Sequence, residues 1–205
     1  MDAGVSDASE LLTQVLRSSE LVYECLRRLA VLDLPNWYLG AGCIAQTVWN
    51  AAHGYDPTTG IVDYDIVYFD PDLSPEAEDA AVTRVGEVLS DLPLRPDVKN
   101  QARVHLWYAG HFGYEIRPYA SCEDAIATWP TTATAIGVRL RNGSLAVEAP
   151  FGVDDLFGLV VRPNRVQITP DIYLSRVERW TRQWPLLTIL DWDAGVGSPG
   201  IRRAV

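Results

Sequence analysis

The pattern of hydrophobic and polar positions at the start of the chain is typical of a helix with one buried face. Apolar side chains recur there at three- and four-residue intervals, which matches the helical repeat. Pro35 follows the pattern closely, and proline is unfavourable inside a helix. The pattern therefore predicts one amphipathic helix over residues 7–30. Its apolar positions are Leu12, Val15, Leu16, Val22, Leu26 and Leu29.

Two apolar segments that follow have the composition of short strands. The first segment, residues 37–39, ends at Gly40-Ala41-Gly42. A helix over residues 44–52 is predicted after this turn. A loop at residues 55–60, rich in Asp, Pro, Thr and Gly, then leads to residues 61–69. This last segment consists largely of β-branched and aromatic residues, which favour a strand. The region therefore predicts strand, glycine turn, helix, loop and strand in that order.

The middle of the chain is predicted to contain a helix and a further strand. Ser74 is a suitable N-cap and Pro75 suits the first helical position, so a helix should run to about Leu92. Polar and apolar side chains alternate over residues 102–108. This alternation predicts a strand with one polar and one apolar face.

The last part of the chain contains clear turn and cap signals. A capping-box pattern begins a short helix over residues 121–129. Asn142-Gly143 favours a hairpin turn between strands over residues 134–141 and 144–148. A final helix begins at residues 169–170, a Thr-Pro pair. Its apolar stripe consists of Tyr173, Val177, Trp180 and Trp184.

The mixture of helices and strands predicts one α+β domain over residues 1–195. A chain of 205 residues suits a single domain, and 48% hydrophobic residues are enough to build a core. The remaining residues, 196–205, contain Gly, Pro and Arg and are predicted to form a loose C-terminal tail.

The net charge and the cysteine content limit the cellular compartment and the binding partners that we expect for this chain. The formal net charge is −10, and an acidic surface repels the phosphate backbone of long DNA or RNA. The three cysteines are far apart and odd in number, which fits a reducing cytoplasm better than a disulfide framework. The chain has no apolar run long enough to span a membrane, and its acidic N-terminus lacks a signal-peptide core. We therefore expect a cytoplasmic protein that binds neither membranes nor long nucleic acids.

Asp63 and Asp65 are the first candidates for chemistry. Residues two apart on a strand point to the same face, so the two carboxylates should stand side by side. A hard divalent cation such as Mg²⁺ or Mn²⁺ relieves their repulsion, because it prefers oxygen ligands and retains phosphates and water. Glycines at Gly40 and Gly42 would let a phosphate chain approach the unpaired N–H groups that begin the next helix. The alternative is that the acids are solvated and that the turn only connects two elements.

Five segments of the chain resemble a known family. Over roughly residues 20–190 the chain resembles the bacterial and fungal nucleotidyltransferase-like family once classed as DUF925. A shorter stretch, residues 37–70, resembles the signature of the DNA polymerase β-type nucleotidyltransferase superfamily, in which a small-residue turn opens a helix and a D-x-D strand follows. The resemblance implies the nucleotidyltransferase (polymerase β-like) fold, with a mixed sheet and flanking helices. The five segments are residues 41–50, 63–70, 99–108, 149–157 and 162–164.

The resemblance also implies roles for individual residues. Gly42 and Cys43 would cradle the triphosphate of a nucleoside triphosphate (NTP), and Asp63 and Asp65 would hold the metal ions. Lys99 and Arg103 form a basic pair that would neutralise phosphates, or else take part in surface ion pairs.

The superfamily supplies a third carboxylate from a neighbouring strand, as base or as second metal ligand. The natural strand is the one predicted over residues 102–108, which contains no acid. Its polar face includes His105, and a neutral imidazole can act as base or as metal ligand. Glu115 and Glu148 are further candidates, and a site without any of these would bind nucleotide without turning it over.

These features together predict a metal-dependent nucleotidyltransferase that moves NMP from an NTP to an unknown acceptor. The acidic surface favours a small molecule or a protein as that acceptor. Two alternatives remain open: a catalytically degenerate nucleotide-binding or interaction module, and a metal-dependent phosphohydrolase that uses the same aspartates.

Overall fold

A computed structural model describes residues 3–32, 34–193 and 201–202. Its helices are α1 (Ala3–Ser18), α2 (Glu20–Leu29), α3 (Gly42–His53), α4 (Pro75–Val88), α5 (Val104–Phe112), α6 (Cys122–Ile126), α7 (Asp154–Phe157) and α8 (Pro170–Gln183). Its strands are β1 (Tyr38–Gly40), β2 (Tyr64–Tyr68), β3 (Pro96–Asn100), β4 (Gly137–Arg141), β5 (Ser144–Glu148), β6 (Val160–Val161), β7 (Thr188–Leu190) and β8 (Ile201–Arg202).

A mixed five-stranded sheet forms the centre of the fold. Its strand order is β3-β2-β1-β4-β5. The pair β2–β3 is parallel, and the other neighbouring strands are antiparallel. A smaller sheet contains β6, β7 and β8. The predicted α+β class, with a mixed sheet and flanking helices, is therefore confirmed.

The two faces of the central sheet have different roles. Leu39, Ile66 and Val138 lie in register on one face and belong to the main hydrophobic core. The indole rings of Trp49 and Trp180 pack edge to face in this core, with centroids 5.3 Å apart. Alternate residues of the same strands point to the opposite face, where Tyr38 and Val67 pack with Cys122 and Ile126 in a second, smaller hydrophobic cluster.

The N-terminal helical region is broken at Ser19, so the prediction of one helix over residues 7–30 was wrong. Ser19 has an extended backbone (φ −92°, ψ 93°) and is 1% exposed. At about 100° per residue, Leu16 and Leu26 would face directions about 80° apart in one straight helix. The break turns both side chains toward the core, where both leucines are fully buried.

The strand predicted over residues 102–108 was also wrong, because the strand of this region is β3, over Pro96–Asn100. The Asn100 side chain ends it: its Oδ1 accepts from the backbone N–H of Ala102 (3.1 Å), and its amide donates to the carbonyl of Asp70 (2.9 Å). A 3-10 turn, Gln101–Arg103, leads into α5. Leu106 is 56% exposed, so the apparent alternation did not reflect a buried strand face.

The C-terminal elements follow the sequence pattern more closely. Asn142 (φ 52°) and Gly143 (φ 78°) form the hairpin turn between β4 and β5. The Ser121 hydroxyl caps α6 by accepting from the N–H of Asp124 at 3.1 Å. The stripe of Tyr173, Val177, Trp180 and Trp184 is buried, as expected.

Of the tail predicted to be loose, only Ile201–Arg202 is described, as β8 paired with β7; residues 196–200 and 203–205 lie outside the described residues. In the described part of the chain, no helix is both long and apolar enough to span a bilayer.

Candidate active site

Strand register brings two carboxylates and a glycine turn together on the face of the central sheet opposite the main core. Gly40 on β1 is the register partner of Asp65 on β2, and Asp65 is the register partner of Asp97 on β3. Register partners on neighbouring strands point to the same face. Helix α3 begins two residues after Gly40, so a helix N-terminus and two carboxylates lie at adjacent positions.

Asp65 is held in an environment that opposes its ionisation. Its side chain is partly buried, and among the described residues none gives it a hydrogen bond or a close ion pair. Burial, followed by the charges of Asp63 and Asp97, raises the pKa of Asp65 to about 7, although Lys99 and Arg176 act in the opposite direction. A carboxylate in this position favours a cationic ligand.

Asp97 is an acid beside Asp65 that the sequence analysis did not consider. It lies beside Asp65 because β3 runs over Pro96–Asn100 rather than over residues 102–108. Its carboxylate forms an ion pair with the ammonium group of Lys99, two residues along the same strand. The sequence did contain a signal, since residues 96–100 place polar side chains on both sides of Val98. That signal is short, and the longer alternation that follows concealed it.

Asp63 lies immediately before β2. It is close enough to raise the pKa of Asp65 and to influence Arg176. The residues that line the cleft beside the site include Asp65 but, within the described part of the chain, not Asp63. The two predicted acids are thus electrostatic neighbours with different exposure to the cleft.

The donor chemistry fits a hard divalent cation. The available atoms are carboxylate oxygens, and Mg²⁺ is usually held by one or two carboxylates together with water and phosphate oxygens. In the described residues, no group of three or more His, Cys, Asp or Glu side chains is arranged to hold a metal by itself. Asp65 and Asp97, with Asp63 nearby, therefore suit an ion whose coordination a phosphate completes.

The turn between β1 and α3 has an unusual backbone conformation. Ala41 has φ 55° and ψ −128°, a region that non-glycine residues seldom occupy. Its N–H donates to the carbonyl of Ile136 at 2.9 Å, and its carbonyl accepts from Ala45. The first N–H groups of a helix have no acceptor within the helix, so those of Gly42 and Cys43 are available to an anion.

The surroundings of Gly40, Gly42 and Cys43 show which of them the fold needs for packing and which can contact a ligand. A Cβ at Gly40 would lie 2.7 Å from the Ile136 carbonyl oxygen and 2.8 Å from the Trp129 ring. A Cβ at Gly42 would lie 3.0 Å from Nε2 of Gln46. The Cys43 thiol is buried and donates to the Gly40 carbonyl at 3.2 Å, and burial raises its pKa well above the usual value. Gly40 is thus required by close packing, and Cys43 offers a ligand only its backbone N–H.

A cleft of about 210 Å³ opens beside these groups. Ala41, Asp65, Lys99 and Arg176 line one part of it. Burial lowers the pKa of Arg176, while the charges of Asp65 and Asp63 favour its protonated form. Arg176 comes from α8, where the sequence analysis identified only the apolar stripe, so the local pattern gave no sign that Arg176 lines the cleft.

The structure places Arg103 and His105 differently from the prediction. The Arg103 guanidinium bonds to the Glu78 carboxylate at 2.7 Å and to the Leu73 carbonyl, so it ties α4 to the 3-10 turn. His105 lies on α5; Val104 and Trp107 line the cleft, and among the described lining residues His105 does not occur. Its buried Nδ1 has no hydrogen-bond partner in the described chain. The predicted strand over residues 102–108 would have placed both side chains on one face near the aspartates. Residues 104–112 are helical instead, so this strand face does not exist.

The two other candidate acids lie elsewhere. Glu115 is exposed in the segment after α5. Glu148 ends β5 and is the register partner of Gly137, three strands away from Asp65 in the sheet order. Burial and the charge of Glu123 raise the pKa of Glu148. Asp97 is closer in register to Asp65 than either of these acids.

Comparison with known proteins gives an independent view of the chain. A family model described as nucleotidyltransferase matches residues 27–189. A search of curated proteins gave no match. A protein whose NMR structure is described as a CCA-adding enzyme head domain has a TM-score of 0.73 and 24% identity, covering 88% of this chain and 94% of that one. The Thermotoga maritima CCA-adding enzyme in complex with tRNA has a TM-score of 0.46 and 14% identity, covering 88% of this chain and 42% of that one.

The NMR structure shows that the two proteins share a fold, and the family model spans most of the chain. The resemblance drawn from the sequence is therefore confirmed. The protein belongs to the nucleotidyltransferase family.

Proposed function

We propose that the protein is a metal-dependent nucleotidyltransferase that moves NMP from an NTP to a small-molecule or protein acceptor. The observation that supports this most strongly is the register of Asp65 with Asp97, beside the helix N-terminus that follows Gly40. Family membership supports an NTP as the donor substrate.

The triphosphate is held by backbone and by positive charge. The N–H groups of Gly42 and Cys43 bind phosphate oxygens at the start of α3. Lys99 and Arg176 both line the cleft with Asp65 and offset the negative charge of the phosphates. Asp65 and Asp97 would hold Mg²⁺ or Mn²⁺, and the nearby charge of Asp63 would add to the attraction for the ion. When bound, such an ion supplies positive charge that stabilises the charge developing on the phosphate oxygens.

The transfer step joins the acceptor to the α-phosphorus. An acceptor oxygen attacks this phosphorus, a new P–O bond forms, and the bond to the bridging oxygen breaks. The electron pair of that bond leaves with pyrophosphate, and the proton of the acceptor passes to the Asp97 carboxylate. Asp97 reaches this role when Lys99 turns from it toward a phosphate, an exchange that their position on one strand allows.

The proposal differs from the sequence-based expectation in its third carboxylate. The alternative of a degenerate binding module follows from a predicted strand without an acid, and in this proposal Asp97 supplies the acid from β3 instead. His105 and Arg103 have no role in the proposed step. The acceptor rests on the net charge of −10 alone, which disfavours long nucleic acid.

Substitution of Asp97 tests the proposed mechanism. We expect Asp97→Asn to lower the rate of pyrophosphate release from NTPs by about 10²–10⁴-fold, because the base is lost. The assay contains Mg²⁺ and a pool of cellular metabolites and proteins as acceptors. Glu87→Gln, at an exposed acid on α4, is the matched control and should keep the wild-type rate. A wild-type rate in Asp97→Asn would exclude Asp97 as the base.

A further inference from the structure

The part of the cleft beyond the charged groups is lined by aromatic side chains. They come from α5, from the segment before α6 and from the segment after it, so they surround one space rather than form one stripe. The aromatic residues are Trp107, Tyr108, Phe112, Tyr119 and Trp129. They share this cleft with Asp65, Lys99 and Arg176. One continuous space therefore offers a charged end and an aromatic end.

The aromatic end is held in place by a hydroxyl network. The Tyr119 hydroxyl lies 3.0 Å from Oγ1 of Thr128 and 2.7 Å from Nε2 of Gln167. The Tyr114 hydroxyl donates to the Gln167 carbonyl at 2.8 Å and lies 3.1 Å from the Tyr108 hydroxyl. These bonds fix two aromatic walls and one carboxamide before any ligand enters. A preformed apolar cleft with a few fixed polar groups is typical of a small-molecule site.

Gln101 adds a hydrogen-bond acceptor to the lining. Its side chain is 4% exposed, and its Nε2 donates to the Lys99 carbonyl at 3.4 Å. No described residue donates a hydrogen bond to its Oε1. This oxygen is not among the buried polar atoms that lack a partner in the described chain, so it keeps some contact with solvent and can accept an N–H group from a ligand in the cleft. Every nucleobase of RNA carries such a group on its pairing edge.

We propose that the aromatic end of the cleft is the nucleobase subsite of the donor NTP, with Trp107 as a stacking surface and Gln101 as an acceptor for a base N–H. This inference rests on the proposed function, because the triphosphate must lie at the charged end. A nucleotide joins a planar ring to an anionic tail, and the cleft has the same two parts. Aromatic side chains bind bases through their faces with little dependence on sequence.

Trp107 is the best position for a test because it contributes to the cleft while remaining 37% exposed. Its loss should therefore leave the core intact. Trp129 is less suitable, since its ring also packs against Gly40. Phe151, 42% exposed in the turn after β5, supplies a control aromatic outside the cleft lining.

The test compares binding of the four NTPs with binding of inorganic tripolyphosphate, each with Mg²⁺, by calorimetry on the full chain. We expect Trp107→Ala to weaken NTP binding roughly 10-fold or more and to leave tripolyphosphate binding unchanged. Trp107→Phe should restore most of the affinity, and Phe151→Ala should match the wild type. Gln101→Ala should weaken binding of all four NTPs and leave tripolyphosphate binding unchanged.

The outcomes separate this inference from the proposed function. Wild-type protein that binds tripolyphosphate as tightly as NTPs would overturn the base subsite and leave the phosphate site in place. Wild-type NTP affinity in Trp107→Ala would also overturn it. Wild-type protein that binds neither NTPs nor tripolyphosphate would overturn the proposed function, and the subsite with it.

Discussion

At the scale of the residue, Asp65 shows how a site conflicts with the fold that contains it. A strand in a mixed sheet favours apolar or neutral side chains, yet here a carboxylate is partly buried between Asp63 and Asp97. The pKa of Asp65, raised to about 7, measures that conflict. A bound cation and phosphate would relieve this repulsion. We therefore expect the ligand-free protein to be less stable than the same fold with a neutral residue at position 65.

The pH dependence of stability follows from this shift. The unfolded Asp65 has a pKa of about 3.9, so between about pH 4 and 7 the folded state binds more protons than the unfolded state. Stability from this group is therefore full at low pH and falls as pH rises through 7. Asp65→Asn removes this pH dependence of the free energy of unfolding. At pH 8 the variant should be more stable than wild type by on the order of 1–2 kcal/mol.

Urea unfolding at pH 5 and pH 8, without divalent metal, checks this expectation. Glu87→Gln provides the control, because the acid it removes is exposed on α4. An Asp65→Asn variant that is no more stable than wild type at pH 8 would mean that Asp65 is solvated in the free protein.

At the scale of the element, sequence predicted those elements whose signals are local. The Asn142-Gly143 turn and the Ser121 cap depend on neighbouring residues, and both occur in the structure. The break at Ser19 and the position of β3 depend on long-range contacts. Asn100 ends β3 by bonding to the Asp70 segment, thirty residues earlier in the chain, and no local pattern contains that information.

A substitution at Gly40 tests how closely β1 packs against Ile136 and Trp129. A Cβ there would meet the Ile136 backbone oxygen and the Trp129 ring, both closer than 3 Å. Backbone cannot yield as a flexible side chain does, so we expect Gly40→Ala to cost about 1–3 kcal/mol in thermal or urea unfolding. Gly86→Ala on α4 is the control: its Cβ would meet nothing within 4 Å, and it should stabilise by about 0.5–1 kcal/mol. Equal stability of Gly40→Ala and wild type would instead leave Gly40 free for the phosphate role first predicted.

At the scale of the whole molecule, the site combines residues that are far apart in sequence. Asp63, Asp65 and the glycine turn were found because they lie within thirty residues of one another in a strand–turn–helix–strand order. Asp97 required the parallel register of β2 and β3. Arg176 required the packing of α8 beside the cleft. The sequence therefore identified the candidate residues that lie close together along the chain. It did not identify those that only tertiary contacts bring to the cleft.

The most direct test of the central claim is mass spectrometry of the reaction products. The protein is incubated with NTPs, Mg²⁺ and a pool of metabolites and proteins, and the products are searched for an acceptor whose mass has increased by one NMP. The account predicts such an adduct, pyrophosphate in equal amount, and the loss of both with Asp65→Asn. Free NMP or NDP without an adduct would indicate a phosphohydrolase, unchanged NTP would indicate a binding module, and either result would contradict the account.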